Sequence, residues 1–138
     1  MAITGIAHVC VKARNLSETV GFYEKLGFKP IFKFVRGGKD YGMYVEIAEG
    51  QYLEFFEEPD SSAYPNAALA HFCLETDDIE AAARDMDAKG IAHTPVKLGP
   101  DKTYQLWLTD PNGLSFELHQ YTKESAQTAG PGVIEADW

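Results

Sequence analysis

The chain has 138 residues, long enough for one domain with a core and too short for two independent ones. Hydrophobic and charged contents of 45% and 24% are those of an ordinary globular protein, and a net charge of −9 removes the basic footprint that nucleic-acid binding requires. No apolar run reaches the ~20 residues of a membrane helix, Met1-Ala2-Ile3-Thr4-Gly5 lacks the regions of a signal peptide, and two cysteines make a poor disulfide framework, so a cytoplasmic protein with reduced thiols and no membrane partner is expected.

Residues 3–13 read as a strand, apolar, β-branched and free of proline. The period then changes: Leu16, Val20, Tyr23 and Leu26 fall on one helical face, with Asn15 and Glu18 placed as a capping box and Gly27 as the stop. Strands are expected over 28–35, 41–47 and 51–57, separated by the Gly37-Gly38 and Glu49-Gly50 turns. After a polar stretch containing Pro59 and Pro65 the pattern restarts, with a strand over 69–75 and a helix capped by Asp77 with Glu80 and ending near Lys89 and Gly90. Strands over 91–98, 103–109 and 114–120 complete it, the last two joined by the turn Asp110-Pro111-Asn112-Gly113. The expected organisation is α+β: two tandem βαβββ modules over 3–58 and 67–121, a linker over 59–66, and a tail over 122–138 that either drapes over the domain or stays disordered.

The two modules are related residue by residue. His71 follows His8 by 63 residues, and Glu117 follows Glu54 by the same 63; Ala7/Ala70, Cys10/Cys73, Gly27/Gly90, Tyr41/Tyr104 and Gly50/Gly113 keep the offset. The glycine pairs serve the backbone at a helix end and a hairpin turn. The His and Glu pairs have no such backbone explanation.

Side chains alternate along a strand, so His8, Cys10 and Lys12 share one face, and Tyr52, Glu54 and Phe56 share another with the apolar Leu53 and Phe55 opposite; Glu117 and His119 repeat that placement. If the apolar faces pack on the helices, then His8, Glu54, His71 and Glu117 share the other face, with Tyr44 and its repeat partner Trp107 as aromatic walls. Convergent polar groups in an aromatic-lined cavity describe a small-molecule site. Taken singly, a buried histidine is more often a hydrogen-bonded core residue and a strand glutamate a surface one. Two carboxylates in one cavity repel unless a cation lies between them, and imidazole with carboxylate suits Zn, Ni, Fe or Mn. The set His8/Cys10/His71/Cys73 has zinc-type donors, yet His and Cys two apart on a strand lie ~7 Å apart and would leave the glutamates unpaired; the cysteines are therefore expected as small packing residues. His93 has no repeat-related histidine and is left out as a ligand, as is His119, which faces the same way as Glu117 and is expected to touch substrate.

On His8, Phe22-Tyr23-Glu24-Lys25-Leu26-Gly27-Phe28, His71, Asp110-Pro111-Asn112-Gly113 and Phe116-Glu117-Leu118, the chain resembles the vicinal oxygen chelate superfamily of glyoxalases, bleomycin resistance proteins and dioxygenases, over residues 3–121. The resemblance implies a cupped, open eight-stranded mixed sheet with helices on its convex side and one divalent metal ion per site. Within the superfamily His8, Glu54, His71 and Glu117 match the His-Glu-His-Glu ligand set of lactoylglutathione lyases (glyoxalase I), for which Ni(II) or Zn(II) is the first expectation, with Co(II), Mn(II) or Fe(II) as alternatives. It further implies an isomerase or lyase that stabilises the enediolate of a small α-hydroxycarbonyl substrate, with Glu54 or Glu117 as general base and Glu117 favoured, and a homodimer through the exposed module edges. Lys12, Tyr44, Trp107 and His119 are the expected substrate contacts. Where lactoylglutathione lyases grip glutathione with an arginine and an asparagine, four residues after the first His and the first Glu, this chain has Lys12 and Glu58, and Glu58 would repel a carboxylate. The alternatives within the superfamily are an Fe(II) extradiol-type dioxygenase, which needs one carboxylate, an epimerase, or a non-catalytic protein that binds a small aromatic ligand between Tyr44 and Trp107.

Overall fold

The same pair of contacts fixes a helix start twice in this chain. In the computed structural model, which describes residues 8–60 and 71–129, helix α1 (Leu16–Lys25) begins where the Asn15 side chain accepts from the Glu18 amide at 2.9 Å and the Glu57 carboxylate accepts from the Leu16 amide at 2.8 Å. Helix α2 (Ile79–Ala88) begins with the equivalent residues 63 positions later: Asp78 accepts from the Ala81 amide at 2.9 Å, and the Gln120 side-chain oxygen from the Ile79 amide at 2.8 Å. Each pair satisfies two of the amide donors that a helix N-terminus leaves open. The cap of α2 is thus Asp78 and not Asp77, because only a side chain one residue before the first helical position reaches the amide three residues on.

Both helices also end alike. The Phe28 amide bonds the Tyr23 carbonyl at 3.2 Å and the Ile91 amide bonds the Met86 carbonyl at 2.9 Å, a closure made possible by Gly27 at φ 92° and Gly90 at φ 69°.

The first unit contains β1 (His8–Ala13), α1, β2 (Lys29–Arg36), β3 (Lys39–Ala48) and β4 (Gln51–Glu57) in one open mixed sheet of order β1-β4-β3-β2. The second contains β5 (Phe72–Glu75), α2, β6 (Lys97–Leu98), β7 (Tyr104–Thr109) and β8 (Ser115–Gln120), in the order β5-β8-β7-β6. In each, the first strand runs parallel to the last and the other pairs are antiparallel. The α+β architecture of two βαβββ modules is therefore the one read from the sequence, with the described strands hydrogen-bonded as two four-stranded sheets. The chain divides into two compact units at Ala67/Ala68. Residues 3–7, 61–70 and 130–138 of the expected first strand, linker, fifth strand and tail lie outside the described residues.

Strand parity puts the cores where they were expected. Val11, Ala13, Val45, Leu53 and Phe55 are buried in the first unit beneath Leu16, Val20 and Tyr23 of α1; the Tyr23 ring stacks on Phe55 at 4.9 Å. In the second unit Leu106, Leu108, Phe116 and Leu118 are buried with Ile79, Ala83 and Met86 of α2, and Phe72 stacks on Phe116 at 5.0 Å. Each such large side chain contributes about 1.5–3 kcal/mol on burial.

One expectation fails. Residues 91–96 are not a strand; only Lys97 and Leu98 pair with β7. Pro95 has no amide to offer a ladder, and Thr94 substitutes for the ladder on both sides: its amide donates to the Trp107 carbonyl at 3.0 Å and its hydroxyl accepts from the Trp107 amide at 2.8 Å. The tail, where described, is docked. Ser125 is fully buried, donates to the Lys102 carbonyl at 3.0 Å and accepts from the Thr122 amide at 2.8 Å; the Gln127 amide group donates to the Asp101 carboxylate at 2.9 Å, and the turn ends in α3 (Ala126–Ala129).

Candidate metal centre

In the first unit the centre rests on the pairing of β1 and β4. Their register sets Cys10 opposite Glu54 and places His8 one pleat away on the same face, so that His8 Nε2 lies 3.6 Å from Glu54 Oε1. On the other side of β4, Tyr44 of β3 stands opposite Glu54, its hydroxyl 3.4 Å from His8 Nδ1 and its ring edge-on to the imidazole at 5.6 Å. Phe32 stacks on Tyr44 at 4.7 Å and Tyr52 flanks it at 5.1 Å. His8 is about two-fifths exposed (39%) and Glu54 only 15%, so the carboxylate is sheltered while the imidazole reaches outward.

The second unit repeats this with two changes, Trp107 in place of Tyr44 and His119 in place of Phe56. Cys73 and Trp107 both stand opposite Glu117, and His71 Nε2 lies 3.3 Å from Glu117 Oε2, with Trp107 edge-on to His71 at 4.8 Å. His119, where the first unit has Phe56, adds a second imidazole whose Nε2 also lies 3.3 Å from Glu117 Oε2. That Nε2 is buried and has no hydrogen-bond partner. Cys73, Glu117 and His119 bring one ligand atom each within 4.8 Å of one another.

The donors fit a divalent cation. Within each His–Glu pair the nitrogen and oxygen approach to 3.3–3.6 Å, longer than a charge-assisted hydrogen bond, and the orphaned His119 nitrogen is an available lone pair or N–H in a place water does not reach. Imidazole nitrogen with carboxylate oxygen is the donor chemistry of Zn, Ni and Fe sites. These residues would hold such an ion.

The cysteines correct the sequence reading. Both are exposed and both lie on the ligand-bearing face, not in the packing layer. Partial burial of the sulfur, followed by the nearby Glu117 carboxylate, pushes the Cys73 thiol up to about 12; burial and Glu54 raise Cys10 as well. Each is a thiol in the ion-free protein. Lys12 is exposed on the same face of β1, two residues beyond Cys10, and Glu58 follows β4 directly with its amide bonded to the Ala13 carbonyl at 2.7 Å. His93 is engaged elsewhere, bridging the Thr94 carbonyl at 2.8 Å and the Asp87 carboxylate at 3.1 Å. Two surface grooves of the second unit, one around Asp77–Glu80 and the other around Lys102 and Thr122, include none of the His or Glu donors. The helix-start contacts of Glu57 and Gln120 were missed in the sequence; the offset of 63 that relates them was the signal.

A family model described as the Glyoxalase/Bleomycin resistance protein/Dioxygenase superfamily matches residues 5–118. Among solved structures, a glyoxalase family protein from Enterococcus faecalis is 30% identical, with a TM-score of 0.72, and the match covers 86% of this chain and 99% of that one. A bleomycin-binding protein complexed with bleomycin is 26% identical, with a TM-score of 0.67, covering 86% of this chain and all of that one, 100%. Lactoylglutathione lyase from Agrobacterium tumefaciens shares the fold at 21% identity and a TM-score of 0.68, covering 87% and 96%.

Proposed function

The chain belongs to the Glyoxalase/Bleomycin resistance protein/Dioxygenase superfamily, and from that premise we propose that it is a metal-dependent isomerase or lyase of the lactoylglutathione lyase type, acting on a small α-hydroxycarbonyl compound. One observation carries this reading: a His and a Glu converge in each unit at equivalent positions, 3.6 Å apart in the first and 3.3 Å in the second. His8, Glu54, His71 and Glu117 are the proposed ligands. A bound divalent ion would supply Lewis-acid polarisation of the substrate's oxygens.

The chain's own groups do the rest. Glu117, 13% exposed and flanked by two imidazoles, is the favoured base that takes the proton from the carbon beside the carbonyl and returns it to the neighbouring carbon; Glu54 is its repeat-related alternative. Trp107 and Tyr44 shelter the carboxylates from water, the Tyr44 hydroxyl orients His8, and Lys12 and His119 are the remaining substrate contacts. Glu58 argues against glutathione as the carrier of the substrate.

Elemental analysis with a coupled assay tests the proposal. Wild-type protein should carry a stoichiometric divalent metal, Ni(II) or Zn(II) first, that His71→Ala loses, and should isomerise an α-hydroxycarbonyl such as the methylglyoxal–glutathione hemithioacetal or a thiol-free analogue. Glu117→Gln should lower turnover by about 10²–10⁴-fold, the usual yield of a general base. Metal-free wild-type protein, after purification without chelator and reconstitution, would overturn the reading.

The aromatic set Phe32, Tyr44 and Tyr52 beside His8 supports a second reading, a non-catalytic protein that binds a planar ligand. It predicts ligand affinity unchanged by EDTA.

A further inference from the structure

We propose that the second unit carries a metal site of its own, built from Cys73 Sγ, a Glu117 oxygen and His119 Nε2, and selective for soft divalent ions such as Zn(II) and Cd(II). Cys73 and His119 belong to neither His–Glu pair, so the site goes beyond the proposed function while sharing Glu117 with it. The units differ at one place that decides this. Cys10/Cys73 and Glu54/Glu117 are repeat-related, but the position of His119 is occupied by Phe56 in the first unit. Among the described residues, only the second unit therefore brings a sulfur, an oxygen and a nitrogen donor all within 4.8 Å of one another, and it does so from two neighbouring strands whose register fixes them: Cys73 opposite Glu117, and His119 two residues along on the same face of β8.

The three ligand atoms lie within 4.8 Å of one another, and the His119–Glu117 edge is already 3.3 Å. Zinc bonds of about 2.0–2.3 Å in a tetrahedron span edges of about 3.3–3.8 Å, so closure needs a movement of about 1 Å on the remaining edges. The buried His119 Nε2, close to Glu117 yet without a hydrogen bond, is the second sign of a missing ligand. His71, whose Nε2 lies 3.3 Å from the same Glu117 Oε2 that His119 approaches, is within reach as a fourth donor or leaves that place to water. Thiolate with imidazole prefers Zn(II) and Cd(II) to Mg(II) or Mn(II). Coordination releases the Cys73 proton to solvent. Where Glu117 is the base of the proposed reaction, an ion held here ties that carboxylate and inhibits.

Titration of the metal-free full-length protein with Co(II), followed by absorption, tests the site. A near-ultraviolet thiolate-to-cobalt band should develop in wild type, persist in the Cys10→Ser variant and in His8→Ala/Glu54→Ala, and be lost in Cys73→Ser and in His119→Ala. Cys73→Ser changes one atom and serves as the variant that keeps its fold, checked by circular dichroism. Stoichiometric Co(II) binding with no such band, or a band that survives Cys73→Ser, overturns the inference and leaves the His–Glu metal reading standing. A band that survives His8→Ala/Glu54→Ala, together with metal-loaded wild-type protein that shows no isomerase activity, supports the inference and removes the proposed reaction.

Discussion

Gly42 of β3 sits closer to its neighbours than any side chain would allow. A Cβ there would meet the Phe56 ring at 2.6 Å and the Phe55 carbonyl oxygen at 2.7 Å, and the second of these is backbone that cannot swing away. Phe56 in turn packs against Phe34 at 4.9 Å and Tyr41 at 5.0 Å, so Gly42 is what lets an aromatic row cross the first sheet beside Glu54. Gly42→Ala should cost about 1–3 kcal/mol, the range of overpacking, read as a lower urea midpoint with an unchanged slope. At this scale the sequence was legible wherever parity alone decides: which of Leu53 and Glu54 faces the core follows from alternation. What alternation cannot supply is which residue of a neighbouring strand stands opposite. The meeting of Cys73 with Glu117 depends on the register of β5 against β8, residues distant in sequence, which the ~7 Å spacing of His and Cys along one strand does not report.

Elements were legible where local chemistry sets their ends and not where a distant strand does. Asn15 marks α1 through its own side chain; Thr94, by contrast, ends the pairing of residues 91–96 through contacts with Trp107 that no local pattern announces. For segment 122–129 the sequence left docking and disorder as alternatives for the same reason, since its partners are Asp101, Lys102 and Thr103 of the β6–β7 turn. Burial disfavours the charged Asp101 carboxylate, but hydrogen bonds from Gln127 and Thr103, with His119 nearby, hold its pKa below the ordinary value. A depressed carboxylate stabilises the folded state fully above its unfolded pKa and loses that contribution as the pH falls through the folded value. Amide exchange at Ala126, whose N–H donates to the Asp101 carbonyl at 2.9 Å, should therefore quicken under acid conditions below the usual carboxylate range. Asp101→Asn should remove most of that pH dependence; an unchanged acid profile in the variant would assign the loosening to another group.

For the whole molecule, the offset of 63 carries over from sequence to caps, helix stops, strand order and half-centres, so one unit read closely describes much of the other. The units part at Phe56/His119 and at the sheet edges. The edge strand β2 carries Lys29, Pro30 and Lys33 but still leaves Ile31 and Val35 exposed, at 49% and 61%, apolar surface at an edge that can pair with another chain. With the proposed homodimer, sedimentation should give twice the mass of the 15.3 kDa chain, and Ile31→Lys with Val35→Lys should shift it toward one chain. A dimer untouched by both changes would place the interface on other strands.

In each unit the strand made first lies beside the strand made last, β1 against β4 and β5 against β8. Such pairing is non-local, and the loop-closure entropy it costs slows folding. His8 meets Glu54, and His71 meets Glu117, only on closure. An ion held by such a pair, as proposed, would act as a latch on this long-range contact: binding the closed state alone, it would add about 2.7 kcal/mol at one hundred times its Kd and slow reopening without hastening the search that precedes it.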